Sequence, residues 1–112
     1  MTAMATGGRQ AISALIPSIA RHYLGKEEMA AAVAAPRSHF DPAAGVISAE
    51  SGITPAAGAL AASAGYPVQP ASQPIGAVRL FRCKEGIPRS DKDCGIADDP
   101  RGRGMILFEG AK

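Results

Sequence analysis

The sequence predicts a small α+β chain with N-terminal helices, a long irregular strap rich in Ala, Gly and Pro, and a C-terminal β-hairpin. Three observations lead there. Apolar residues in 9–24 recur at spacings of three and four, the period of one helix face. Residues 75–83 (IGAVRLFRC) and 105–109 (MILFE) are the two runs that read as good strands, because β-branched and aromatic side chains suit a pleated, half-buried surface. Between helices and hairpin, 26 of the 41 residues in 36–76 are Ala, Gly, Pro or Ser, a composition that specifies neither helix nor strand over most of its length.

The first region, 1–35, holds an arm and two helices. Residues 1–8 are small and polar and read as the arm. Ile12, Leu15, Ile16, Ile19, Tyr23 and Leu24 then form an apolar stripe. Pro17 lies inside it and marks either a kink or a helix start. Gly25 suits a C-cap. The stretch 26–35 (KEEMAAAVAA) is a second helix, with Glu27 and Glu28 in the first turn, where the helix dipole favours them, and Pro36 after its end.

The second region, 36–74, is the strap. Phe40, Val46, Ile47, Ile53, Leu60, Tyr66 and Val68 recur along it, as isolated anchors in an extended chain would. Arg37, Asp41 and Glu50 are its formally charged residues. A short helix over 55–64 is expected to interrupt it, with Thr54 as N-cap, Pro55 at the first position and Gly65 closing it.

The third region, 75–112, is the hairpin with a polar excursion over 84–104. In its first strand Val78, Leu80 and Arg82 point one way, and Arg79, Phe81 and Cys83 the other. Its second strand is apolar on both faces, so both faces need a cover. One helical stripe supplies one cover. That mismatch predicts a protein partner, with contact surfaces at Leu15, Ile16, Ile19, Tyr23, Phe40, Tyr66, Ile106, Leu107 and Phe108.

At 112 residues the chain is one small domain at most. Its formal charge of +2, with both signs interspersed, provides no field to steer nucleic acid or anionic lipid. Alanine inflates its apolar content: 23 residues are Ala, whereas Leu, Ile, Val and Phe together number 21, a sparse supply for a self-contained core. No stretch approaches the roughly 20 apolar residues of a membrane-spanning helix. The apolar run 11–20 lacks the basic leader of a secretory signal.

Candidate chemistry is thin. Cys83 and Cys94 fit a disulfide that staples the excursion, and a pair of reduced thiols is the other reading. Zinc would need two more ligands, and His22 and His39 are distant in sequence. Asp91, Asp93, Asp98 and Asp99 begin like a calcium loop, but Cys94-Gly95 and the lack of a closing Glu break the pattern. Arg101-Gly102-Arg103-Gly104 hints at nucleic acid, since RG steps let guanidinium groups reach phosphates, but no aromatic platform accompanies it and a turn explains it equally well, so a nucleic-acid partner is not expected. No Ser–His–Asp order, phosphate cradle or HExxH occurs. The chain is therefore expected to have no cofactor, no metal and no catalytic set.

These features fit a non-enzymatic accessory subunit of a large assembly, with a bacteriophage-type virion as the leading setting and virion localisation with it. Two other roles fit the same features. One is an accessory subunit of a membrane-associated respiratory, photosynthetic or secretion complex. The other is a small free binding or inhibitor module using the loop 84–104.

Overall fold

The computed structural model describes residues 1–84 and 93–102. It is a mixed α+β structure with two small sheets. In chain order the elements are β1 (Thr2–Thr6), a 3-10 turn (Gly8–Gln10), α1 (Ala11–Tyr23), α2 (Met29–Ala34), β2 (Ser38–Asp41), β3 (Val46–Ala49), α3 (Pro55–Ser63), β4 (Val68–Pro70), β5 (Ala77–Cys83) and β6 (Cys94–Asp98). The expected strand over 105–109, with Ile106, Leu107 and Phe108, lies outside the described residues.

The larger sheet has the order β1-β5-β6, both pairings antiparallel. Its inner face is built from small and branched side chains in register: Ala3 opposite Leu80 opposite Ala97, and Ala5 opposite Val78. α1 and α2 cover that face, and Ala14, Val33, Val78, Leu80 and Ala97 form the buried cluster, with Leu15, Ile19 and Met29 packed on it. Two expectations change here. The arm is a strand, because its alternation of Ala3 and Ala5 with Thr2, Met4 and Thr6 matches the pleat of β5. Part of the polar excursion is also structure: Cys94–Asp98 pairs with β5, where loop was expected.

The helix stripe is also corrected. α1 runs through Pro17, and its buried positions are Ala14 and Ser18. Leu15 and Ile19 flank them against the core, but Ile12 and Ile16 are 67% and 61% exposed. The helix sits close enough to the sheet that only small residues fit beneath its axis. Gly76, at φ +61, shows the same crowding: a Cβ there would lie 2.9 Å from the Ala14 Cβ and 3.0 Å from the Thr6 carbonyl oxygen.

The stretch 36–74 is more regular than an extended strap. β2 and β3 form an antiparallel pair, and β4 adds in parallel to β3. α3 spans Pro55–Ser63, with the Thr54 hydroxyl accepting from the Ala57 N–H. Scattered Val and Ile residues, weak as a pattern, are sufficient for strands this short. Phe40 and Tyr66 meet edge to face with ring centres 5.3 Å apart.

Candidate functional site

The densest chemistry in the described residues is a knot of four charges where the two sheets and α2 converge. Arg37 follows α2, Glu50 follows β3, and Asp99 and Arg101 follow β6. α2 ends at Ala34 because Pro36 cannot continue it, and its last carbonyls are left without intrahelical donors. The two arginines supply them. Arg37 Nη2 donates to Val33 O at 2.7 Å, and Arg101 donates to the carbonyls of Val33, Ala34 and Ala35 at 3.1, 3.3 and 2.9 Å. Guanidinium groups at a helix C-terminus also complement its dipole.

The carboxylates balance them. Arg37 Nη1 lies 2.7 Å from Asp99 Oδ2, and both side chains are 1% exposed. Asp99 also accepts from the N–H of Val78 at 2.9 Å, the N–H of Arg101 at 2.9 Å and Arg101 Nη1 at 3.0 Å. Glu50 accepts from Arg101 Nε at 2.8 Å, from the Ile75 N–H at 2.9 Å and from the Arg37 N–H at 3.3 Å. Arg37 further donates to the carbonyls of Ile75 and Gly76 and to Ser18 Oγ. Arg37 Nε is a buried donor without a partner among the described residues.

Titration follows from this geometry. Burial pushes the Asp99 carboxyl up, but the Arg101 N–H, the Arg37 guanidinium and the Val78 N–H outweigh it and hold the group below the ordinary carboxylate value. Glu50 is likewise raised by burial and brought below its ordinary value by Arg101 and the N–H groups of Ile75 and Arg37. The Glu50 hydrogen bond raises Arg101 against its burial. Two carboxylates held toward their ionised form stand against two arginines, so the formal charges of the knot balance. A cleft of about 470 Å³ opens beside it, lined by Pro36, Glu50, Ser51, Gln73 and Arg101 among others. The Arg101 donors facing that cleft already hold protein acceptors. The knot is a clamp, and general acid–base work is not its chemistry.

The other polar clusters are smaller. Ser13 Oγ lies 2.9 Å from His39 Nδ1, tying α1 to β2. Among the described residues no carboxylate completes a triad on His39. His22 bonds the Glu27 carbonyl through Nδ1 at 2.7 Å and Arg82 Nη1 through Nε2 at 3.0 Å, and Arg82 stacks over Tyr23 at 5.6 Å. No group of three or more His, Cys, Asp or Glu suited to a metal occurs among the described residues. Of the acidic run, Asp98 pairs with Arg79 at 3.0 Å and Asp99 is in the knot, and Asp91 lies outside the described residues.

Of the expected contact residues, Leu15 and Ile19 belong to the core. Ile16, Tyr23, Phe40 and Tyr66 stay exposed, at 41% to 61%. Cys83 and Cys94 are bonded to each other across the β5–β6 ladder. Sequence reasoning did not single out Arg37 and Glu50. Their signal was there: two of the three charges in a segment otherwise made of small and apolar residues.

The turn between β1 and α1 is the remaining feature. Gly7 takes φ +121 and Gly8 φ +58, conformations that cost any L side chain. A Cβ on Gly7 would lie 2.8 Å from the Gly76 Cα, whereas one on Gly8 would meet nothing within 4 Å. Both residues are exposed. An approaching group at Gly8 therefore meets bare backbone just ahead of a helix.

No protein-family model matches this sequence, and no curated protein matches it. Solved structures do. A γ-glutamyltranspeptidase from Pseudomonas nitroreducens, complexed with L-DON, superposes with a TM-score of 0.73 at 21% identity over 95% of this chain and 53% of that one. The T380A mutant of the Helicobacter pylori γ-glutamyltranspeptidase gives 0.71 at 19% identity, over 89% and 53%. The Bacillus anthracis transpeptidase CapD gives 0.75 at 17%, over 96% and 63%. These neighbours are enzymes, which overturns the expectation of a non-enzymatic virion or accessory subunit and that of a free inhibitor module. The chain spans a little over half the length of the enzyme chains it matches, and what it shares with them is a fold.

Proposed function

We propose that this chain works as part of an enzyme of the γ-glutamyltranspeptidase and CapD kind, one that moves an acyl group from an amide to an acceptor. The observation that carries the reading is the superposition of 96% of this chain on CapD with a TM-score of 0.75. Fold alone does not fix chemistry, so the contribution of this chain has to be argued from its own residues.

Acyl transfer develops negative charge on the carbonyl oxygen, and preorganised N–H donors lower that barrier. The Gly7–Gly8 turn suits the task. It is exposed, lacks side chains, sits at the positive end of α1, and Gly8 leaves room for a ligand against the backbone. The core contacts of α1 and the tight Gly7–Gly76 crossing fix its position. In this reading the Arg37–Asp99–Arg101–Glu50 knot is a positioning device: it locks α2, β3 and β6 around the segment that ends at Gly76.

The nucleophile would come from the part of the enzyme this chain does not span. That part is the partner in this reading. The β1-β5-β6 sheet has helices on one face, and Met4 (58% exposed), Phe81 (37% exposed), Thr2 and Thr6 stand on the other, a surface suited to a second layer.

The test is release of p-nitroaniline from γ-glutamyl-p-nitroanilide by the protein isolated in its native form with the polypeptides it copurifies. Activity is expected, falling on the order of a hundredfold in Gly8→Val with circular dichroism unchanged, the size of effect that loss of an oxyanion donor produces. A native preparation that neither hydrolyses nor transfers γ-glutamyl amides would end this reading.

A further inference from the structure

We propose that His22 is a pH-sensitive tie between the ends of α1 and β5: its neutral ring holds Arg82, and a second proton on that ring releases Arg82 while the turn after α1 stays closed. The partners fix which ring nitrogen carries the proton. Nδ1 lies 2.7 Å from the Glu27 carbonyl oxygen, a group that only accepts, so Nδ1 donates. Nε2 lies 3.0 Å from Arg82 Nη1, a group that only donates, so Nε2 offers its lone pair. A ring with one donor and one acceptor is the neutral imidazole.

The second proton has one place to go, the Nε2 lone pair. Two cationic donors then face each other across the 3.0 Å contact, and the bond is lost. The bond to the Glu27 carbonyl uses Nδ1–H in either state and survives. One side of the ring therefore answers to pH and the other does not. Arg82 is the partner that yields, because it is exposed and water can take over its donors.

The neighbouring charges do not compensate. On α1 they are Arg21 and the phenol of Tyr23, in the following turn Lys26, Glu27 and Glu28, and on β5 Arg82, with Lys84 just beyond it. The Glu27 carboxylate is taken by Arg21 at 2.7 Å. Among the described residues no carboxylate lies in ion-pair range of His22 or Arg82. Arg82 also lies over the Tyr23 ring, 5.6 Å from its centre, and His22 meets that ring edge to face at 5.2 Å. A charged His22 thus puts a second cation beside the same aromatic face. The core between α1 and β5, at Ala14, Val78 and Leu80, contains no titratable group, so the opening is confined to the exposed end of the seam.

Nuclear magnetic resonance of the isotope-labelled whole chain at about pH 8 and about pH 5.5, on either side of the usual imidazole range, tests the tie. At the higher pH the His22 ring should carry its proton on Nδ1, and Arg82 side-chain protons should show cross-relaxation with the Tyr23 ring. At the lower pH that cross-relaxation should fall by about threefold or more, with the methyl signals of Val33, Val78 and Leu80 unmoved. His22→Gln offers one donor and one acceptor at either pH and should hold Arg82 equally at both. Four results overturn the proposal: a ring protonated on Nε2 alone at pH 8, an Arg82–Tyr23 contact that persists at pH 5.5, a loss that spreads equally to the core methyls, or the same acid loss in His22→Gln.

Discussion

Replacing Asp99 with Asn tests the charge knot most directly. The substitution keeps the shape and removes the charge. In the native chain the Asp99 carboxylate serves four donors, and among the described residues it is the one carboxylate in ion-pair range of Arg37. Arg37 is 1% exposed, so Asp99→Asn strands a cation that water cannot reach and turns an amide N–H toward a guanidinium. Breaking a buried pair from one side costs about 3–5 kcal/mol. Against a total stability of roughly 5–15 kcal/mol for a domain, that is a large fraction. At about 4–8 °C per kcal/mol, the melting temperature should fall by at least ~12 °C. Arg37→Met should cost less, because the remaining carboxylate keeps Arg101 at 3.0 Å. Urea titration followed by circular dichroism measures both. An Asp99→Asn loss under about 1 kcal/mol, or an Arg37→Met loss larger than that of Asp99→Asn, would refute the assignment of the knot as the main polar clamp.

Further outcomes follow from the same physics. Gly76→Ala should lose about 2 kcal/mol or more, since positive φ and overpacking against Ala14 and Thr6 add together, whereas Gly8→Ala should lose only about 1 kcal/mol; thermal melts of the two would separate them. Asp99 and Glu50 are both depressed in the folded state, so the stability they contribute is complete above about pH 5 and disappears as pH falls below about 4, through their folded values. Urea midpoints across that window should drop in the native chain and drop less in Asp99→Asn.

Much of the helical structure was legible because helix signals are local. Thr54-Pro55 and Gly65 bracket α3, Pro36 stops α2, and the apolar period in 9–24 marks α1. Which face of α1 is buried was not legible. The apolar period favours Ile12 and Ile16, but the short distance between helix and sheet admits Ala14 and Ser18 instead. Steric fit between two elements overrode hydrophobicity within one.

Strands depend on partners, and there the sequence divided. β5 was legible from Val78, Leu80 and Phe81, whose bulk and branching favour a pleated surface in any context. β1 and β6 have little such content: beyond Ile96 and the two threonines of β1, they are Ala, Met, Cys, Gly and Asp, which become strand because β5 lies between them and offers both ladders. The charge knot is the most extreme case. Glu50 and Arg101 are 51 residues apart, and Arg37 and Asp99 are farther still. By itself the sequence determined the helices, the central strand and the mixed α+β class, because propensities, caps and spacings act over a few neighbours. The tertiary structure decided the edge strands, the buried helix face and the charge knot, because each depends on groups that only the folded chain brings within a few ångströms.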